Sequence, residues 1–222
     1  MTPVRFVVYS DYLCPWCFNA SVRLWRLADE YAGRIELDWR SYLLRPEPRR
    51  DGDRAAALEK FRRYTESWLR PAADGDGGEF RVWASDEGPP SHSVPAQLVA
   101  KAAQALGPAA FRRVHERLLR AYFTENRDIS REPVLRALWA ELELPEAAYE
   151  VSARPETLER VLAEHREAGL AGATGVPAIR LADNPAIIVG AHPSALYRRW
   201  IERSLERHAE AEAGTEGAAE AR

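Results

Sequence analysis

The chain has 222 residues, 46% of them hydrophobic, with two cysteines and a formal net charge of −3. That length supports one large domain or two small ones around a sizeable core, and the slight negative balance argues against nucleic acid as the main partner. No apolar run approaches the roughly 20 residues of a membrane span, and Met1 to Arg5 carries no secretory pattern. The expected setting is the cytoplasm, where most thiols are kept reduced.

Val4 to Tyr9 is apolar almost throughout and reads as a central strand. The chain then turns at Ser10 to Leu13 and enters a helix near Cys14. The two cysteines fall at this junction, in Cys14-Pro15-Trp16-Cys17. A C-x-x-C at a strand-to-helix step reads as a thiol–disulfide redox motif. Residues i and i+3 share one helix face with Cβ atoms about 5–6 Å apart, slightly wide of the roughly 3.5–4.5 Å of a disulfide, so a small adjustment closes or opens the bond. Cys14 is expected in the first turn, where free N–H groups and the positive end of the helix favour a thiolate, the attacking species. Pro15 suits that turn because its missing N–H had no intrahelical partner. Cys17, one turn further in, is expected to be more buried and to resolve the mixed disulfide. Three other readings compete. A structural disulfide over so small a loop would constrain the unfolded chain little. A zinc site needs two more ligands, and the five histidines show no paired metal spacing, so no metal is expected. Two inert core thiols are the third. Asp11 is either a turn residue or a carboxylate near enough to modulate the thiol.

Helical spacing continues through Val22, Leu24, Trp25, Leu27 and Ala28 to a stop at Gly33. Ile35 to Leu43 alternates as a second strand, and strand, helix and strand make a βαβ unit with a right-handed crossover. Arg45-Pro46-Glu47-Pro48 breaks the pattern. Helices are expected over Ala55–Leu69, from a cap at Ser93 to Leu106, over Ala110–Tyr122, from a cap at Ser130 to Leu142, and over Pro155–Leu170. Loops cover 71–78 and 86–93, and the favoured reading of His92 is a solvent-facing loop residue. Ala178–Leu181 and Ala186–Val189 flank the turn Ala182-Asp183-Asn184-Pro185 as a hairpin. Ser194 caps a last helix, and the Ala/Glu/Gly-rich end, residues 209–222, is expected to be a disordered tail. The ends are thus α/β and the middle, 53–150, is helical, which suggests one α/β domain in two parts, 1–52 and 151–208, holding a helical insertion.

Four segments carry a family resemblance: Ser10-Asp11-Tyr12-Leu13-Cys14-Pro15-Trp16-Cys17-Phe18; Ala121-Tyr122-Phe123 followed by Arg127-Asp128-Ile129-Ser130; Thr174-Gly175-Val176-Pro177-Ala178; and Val189-Gly190-Ala191-His192-Pro193. With them the chain resembles the DsbA family of thioredoxin-fold oxidoreductases, and more narrowly its cytoplasmic, FrnE-like branch. The resemblance implies an α/β, thioredoxin-like fold with a large all-helical insertion that caps the active-site face. It implies that Pro177 is cis and beside the cysteines, leaving the Val176 backbone to pair with an extended substrate, with Trp16 as a further substrate contact. Where many secreted relatives carry His between the cysteines this chain has Trp16. His92-Ser93 stands where FrnE-like relatives often have Asn-Thr, which makes His92 a candidate modulator alongside Pro15 and Asp11.

The expected activity is therefore a thiol–disulfide oxidoreductase or isomerase acting on protein or peptide thiols and disulfides, with glutathione as a further candidate partner, and without nucleic acid, membrane, metal or organic cofactor. One alternative is a glutathione-dependent isomerase or transferase of the kappa-class type, whose members use Ser where this chain has Cys14. Another is a peptide-binding, chaperone-like module with the cysteines as a redox latch.

Overall fold

The computed structural model describes residues 2–49 and 52–220, with side chains described to residue 211. Strand β1 (Val4–Ser10) lies in the middle of a four-stranded sheet, buried along nearly its whole length. Helix α1 (Pro15–Glu30) crosses over the sheet and returns the chain through Gly33, whose φ of +74° is a glycine conformation, to β2 (Ile35–Ser41). β2 pairs parallel to β1 from Val4↔Ile35 to Ser10↔Ser41.

The helical stretch follows. Helix α2 (Arg54–Thr65) opens on Asp53, whose carboxylate accepts from the Ala55 and Ala56 N–H groups, an N-cap. It tightens into a 3₁₀ turn at Glu66–Trp68 and a short α3 (Leu69–Ala72), so the expected single helix 55–69 is bent at its end. After a long loop come α4 (Val94–Ala105), α5 (Pro108–Phe123), α6 (Glu132–Glu141) and α7 (Glu146–Tyr149). Helix α8 (Pro155–Leu170) brings the chain back to the sheet, where β3 (Ala178–Leu181) pairs antiparallel to β1 and β4 (Ile187–Val189) antiparallel to β3. The strand order is β2-β1-β3-β4. Both ends of the sequence therefore build one sheet and the middle is helical, an α/β fold with a helical insertion.

Helix α9 (Ser194–Glu220) is the last element. It runs well past residue 208, where a disordered tail was expected; the Ala and Glu that made that stretch look coreless are also strong helix formers. Residues 221 and 222 of that expected tail lie outside the described residues.

Two expected caps are corrected. Ser93 does stand at the N-cap of α4, its carbonyl accepting from the Gln97 N–H, but its side chain makes no capping bond, and the N-cap of α6 is Arg131, not Ser130. The Ser93 hydroxyl accepts from the Arg45 N–H at 3.1 Å, and the Ser130 hydroxyl donates to Asp128 at 2.6 Å and accepts from the Ser91 N–H at 2.8 Å. Both tie loops together instead.

Aromatic rings pack the insertion onto α1. Phe18 stacks on Phe123 at 5.7 Å and meets Phe80 edge-on at 5.4 Å, while Trp68 packs edge-on against Tyr122 and Phe123. Gly77 and Gly78 let the loop lie directly on α1: an added Cβ would stand 2.2 Å from the Asn19 side chain and 2.4 Å from the Phe18 ring. Behind the rings is a polar seam. Lys101 on α4 meets Glu164 on α8 at 2.5 Å, and His115 on α5 bridges Tyr12 (2.9 Å) and Ser21 (2.8 Å).

Candidate active site

The loop after β1 is folded by its own aspartate. Asp11 is completely buried; one carboxylate oxygen accepts from the Leu13 N–H at 2.7 Å and the other from the Leu44 N–H at 2.6 Å. The Asp11 carbonyl accepts from the Cys14 N–H at 3.1 Å. Asp11 is thus a turn residue, and it also fastens the segment after β2 to the cysteine loop. Burial pushes its carboxyl up to about 6, against the Ser93 hydroxyl and the two N–H donors that hold it down.

Cys14 is the N-cap of α1, not a residue of its first turn: its backbone is extended (φ −97°, ψ 114°) and Pro15 is the first helical residue. The sulfur then takes the place of a capping oxygen. Cys14 Sγ accepts from the Cys17 N–H at 3.3 Å and donates to the Val176 carbonyl at 3.3 Å. A donor N–H at a helix start favours negative charge on the atom it faces. Cys14 retains 4% exposure and Cys17 none, while Trp16 between them is 39% exposed. The two sulfurs are not joined in a disulfide. Burial first, then the Cys14 sulfur, pushes the Cys17 thiol well up, so it stays protonated at neutral pH.

The Val176–Pro177 peptide bond is cis, and the Pro177 carbonyl accepts from the Gly190 N–H at 2.8 Å, tying this loop to the end of β4. Cys14, Cys17, Val176, Pro177 and Asp11 therefore converge, with Trp16 at the surface beside them. His92 does not join them: its described neighbours are the Ser91 hydroxyl at 2.6 Å and the charge of Asp128, and partial burial lowers its pKa. The adjacent Ser93 is the residue that reaches the site, through Asp11 and Arg45.

A cleft of about 470 Å³ opens beside the cysteines, with Leu13, Leu44, Arg45, Lys60 and Tyr64 in its wall. Sequence reasoning took Arg45 only as the start of the Arg45-Pro46-Glu47-Pro48 break and did not single out Leu44; the structure puts both in the wall of the cleft. Among the described residues no group of three or more His, Cys, Asp or Glu is placed to hold a metal, and no helix is long and apolar enough to cross a membrane.

The chain matches the DSBA-like thioredoxin domain over residues 5–201. It belongs to that family. Solved structures of similar fold include the cytosolic disulfide reductase DsbM from Pseudomonas aeruginosa (24% identity, 91% of this chain and 99% of that one, TM-score 0.72) and a probable DsbA oxidoreductase from Streptomyces coelicolor (23%, 90% and 89%, 0.70). A 2-hydroxychromene-2-carboxylate isomerase shares the fold at greater distance (15%, 93% and 98%, 0.64). These identities establish the DsbA-like thioredoxin fold. No curated protein matches the chain in sequence.

Proposed function

We propose that this DsbA-like chain is a thiol–disulfide oxidoreductase that exchanges with protein or peptide substrates through Cys14 and Cys17, in the manner of the FrnE-like branch. The observation that carries the reading is the contact of one sulfur, Cys14 Sγ, with both the Cys17 N–H and the Val176 carbonyl at the cis Pro177, with Cys17 sealed behind it. Cys14 as thiolate attacks one sulfur of a substrate disulfide, forming a mixed disulfide and releasing the first substrate thiol. Cys17 then attacks Cys14, breaking the mixed disulfide and releasing the second. Two electrons and two protons pass from the protein dithiol to the substrate, and no organic cofactor enters. Access gives the order of events: Cys17 has no exposed surface and lies behind Cys14, so a substrate sulfur meets Cys14 first and Cys17 resolves. Val176 and Pro177 hold an extended substrate segment, Trp16 lies under its side chains, and Pro15 and Asp11 tune the loop.

The similarity to a cytosolic disulfide reductase, also solved with glutathione, supports a cytoplasmic location, a reducing direction and glutathione as a partner thiol. Retention of both sulfurs favours exchange over a kappa-class-type isomerase or transferase. The test is insulin reduction with dithiothreitol: Cys14→Ser is expected to lose all activity and Cys17→Ser to accumulate a mixed disulfide visible by mass. Undiminished reduction by Cys14→Ser would remove the mechanism.

A further inference from the structure

We infer that Arg23 positions the Val176–Pro177 loop against Cys14 and thereby sets how tightly an extended peptide disulfide is held there. Arg23 touches neither sulfur; it is a positioning residue within the proposed exchange through Cys14, on which the inference rests. It lies on α1, the helix that Cys14 caps, and is buried. Its side chain keeps 4% exposure, where the arginines of the other described ion pairs keep 17% or more.

The buried guanidinium joins its own helix to two loops at once. Nε donates to Asp76 at 2.8 Å, and Nη2 donates to Asp74 at 2.7 Å and to Asp76 at 2.5 Å. Nη1 donates to the His192 carbonyl at 3.0 Å. Asp74 and Asp76 belong to the loop between α3 and α4, and His192 to the turn between β4 and α9. That turn leads back to the sulfur. The buried Tyr197 hydroxyl accepts from the His192 N–H at 3.1 Å and donates to the Gly190 carbonyl at 3.2 Å. The Gly190 N–H donates to the Pro177 carbonyl at 2.8 Å, and the Val176 carbonyl accepts from Cys14 Sγ at 3.3 Å. From Cys14 along α1 to Arg23, across to His192 and back through Gly190 and Val176, the bonds close a ring. Asp76 holds the other flank of the turn, where its second oxygen accepts from the Ser194 hydroxyl at 2.7 Å. The bonded Arg23 guanidinium keeps the Asp76 carboxyl below its usual range, so this clip is charged at neutral pH.

A buried ion pair is a poor way to gain stability, because desolvation offsets much of the attraction. An apolar side chain would fill the space, but it would not supply a planar fork with donors at fixed angles. Such a fork places one carbonyl relative to two carboxylates. The turn, and with it the Val176 backbone, is thereby held at a set distance from the sulfur. A substrate segment that pairs with that backbone by strand addition needs this distance. A small disulfide that meets only the sulfur does not.

The experiment compares Arg23→Lys, Tyr197→Phe and the double variant with the wild type. Each reduced protein is mixed with a disulfide carried in an extended peptide and, separately, with bis(2-hydroxyethyl) disulfide, and the urea midpoint is read alongside. Lysine keeps a charge beside Asp74 and Asp76 but loses the fork; phenylalanine cuts the ring where no charge is buried. Each single change is expected to raise the half-saturating peptide concentration about fivefold, the weight of one lost hydrogen bond. The limiting rate and the rate with the small disulfide should stay within about twofold. Both cuts lie in one ring, so the double variant should lose no more peptide affinity than the worse single variant. Tyr197→Phe keeps the test standing if Arg23→Lys folds poorly. Losses that multiply in the double variant would overturn the inference, and so would losses shared equally by the small disulfide. A lowered urea midpoint with peptide saturation unchanged would make Arg23 a structural clamp only. If the wild type reduces neither disulfide, the exchange reading itself falls.

Discussion

At the seam between the sheet and the helices, Lys101 is buried but faces Glu164 at 2.5 Å; behind the cysteines, Asp11 is buried and meets only N–H and O–H donors. Burial penalises charge in both places. In the seam the opposite charge offsets part of the cost: burial lowers the Lys101 ammonium to about 8 while Glu164 pulls it up. Next to it His115 is bonded on both ring nitrogens, and burial lowers it to about 3, so it is neutral at any ordinary pH. At the site no cation is bonded to Asp11; burial raises its carboxyl to about 6, and the Arg45 charge is the least of the influences that lower it. The seam is a finished joint, whereas at the site the Asp11 carboxyl is left close to balance.

Removing the seam's matched charge gives the largest expected change. Glu164→Gln would keep the volume and leave the Lys101 ammonium facing only the Trp39 carbonyl at 3.2 Å and the Gln104 side chain at 3.3 Å. It would also weaken the bond that Glu164 accepts from the Ser41 N–H at 2.7 Å. Breaking a buried pair by removing one partner costs about 3–5 kcal/mol. Urea titration should show a loss of that size, with the remaining folded protein still reducing insulin. A loss under 1 kcal/mol would mean that the seam is not the joint described.

The second test sets the two regions against each other through pH. Asp11 has a folded pKa of about 6, above its usual 3.8. A carboxyl raised on folding stabilises the protonated folded state, so stability falls as pH rises from about 4 to about 6, by about 3 kcal/mol at ~1.4 kcal/mol per pKa unit. His115 has the opposite slope. Its folded value of about 3 lies below the usual 6.5, so its contribution is complete above pH 6.5 and is lost as pH falls toward 3. The two slopes oppose each other between pH 4 and 6, and wild-type stability should be nearly flat there. Asp11→Asn removes one of them, so the variant should lose stability steeply as pH drops from 6.5 to 4 while the wild type does not. Parallel curves for the two proteins would show that Asp11 is ionised throughout.

Why some of this was legible in the sequence and some was not follows from the range of the contacts. Strand β1, helices α1 and α8, the βαβ step and the hairpin rest on patterns within a few residues, and they fall where the periodicity puts them. The cysteine pair stood out by its local spacing, whereas the cis Val176–Pro177 bond was expected only from the family resemblance, since the dipeptide by itself reads as a turn. The hydroxyls of Ser93 and Ser130 do not cap helices because other donors and acceptors take them: the Arg45 N–H, 48 residues from Ser93, and for Ser130 the Ser91 N–H, 39 residues away, together with the nearby Asp128 carboxylate. His92 drew attention for its ring, yet its neighbour Ser93 carries the contact with the site. The cationic cleft had no local signature: Arg45, Arg49 and Lys60 come from the segment after β2 and from α2, and only the fold sets them around one opening. The continued helix at the C-terminus shows the converse, a composition that argued against a core without arguing against a helix.

The smallest expected effect on stability falls on Trp16, which turns outward between the two sulfurs with 39% of its surface exposed. An exposed side chain away from caps, cavities and pairs changes stability by no more than about 0.5 kcal/mol when truncated. On the proposed reading, this exposed indole, two residues after Cys14, is one that a substrate segment held at Val176 would cross. Trp16→Ala should therefore leave the urea midpoint almost unmoved while raising KM for a protein disulfide several-fold, with little change for a small disulfide that does not reach across the ring. The pairing of the two readouts separates a substrate contact from a structural one: packing loss would lower the midpoint and spare KM. If KM rises equally for the small disulfide, the indole acts on the sulfur chemistry itself, and the surface beside Cys14 is not where the substrate chain lies.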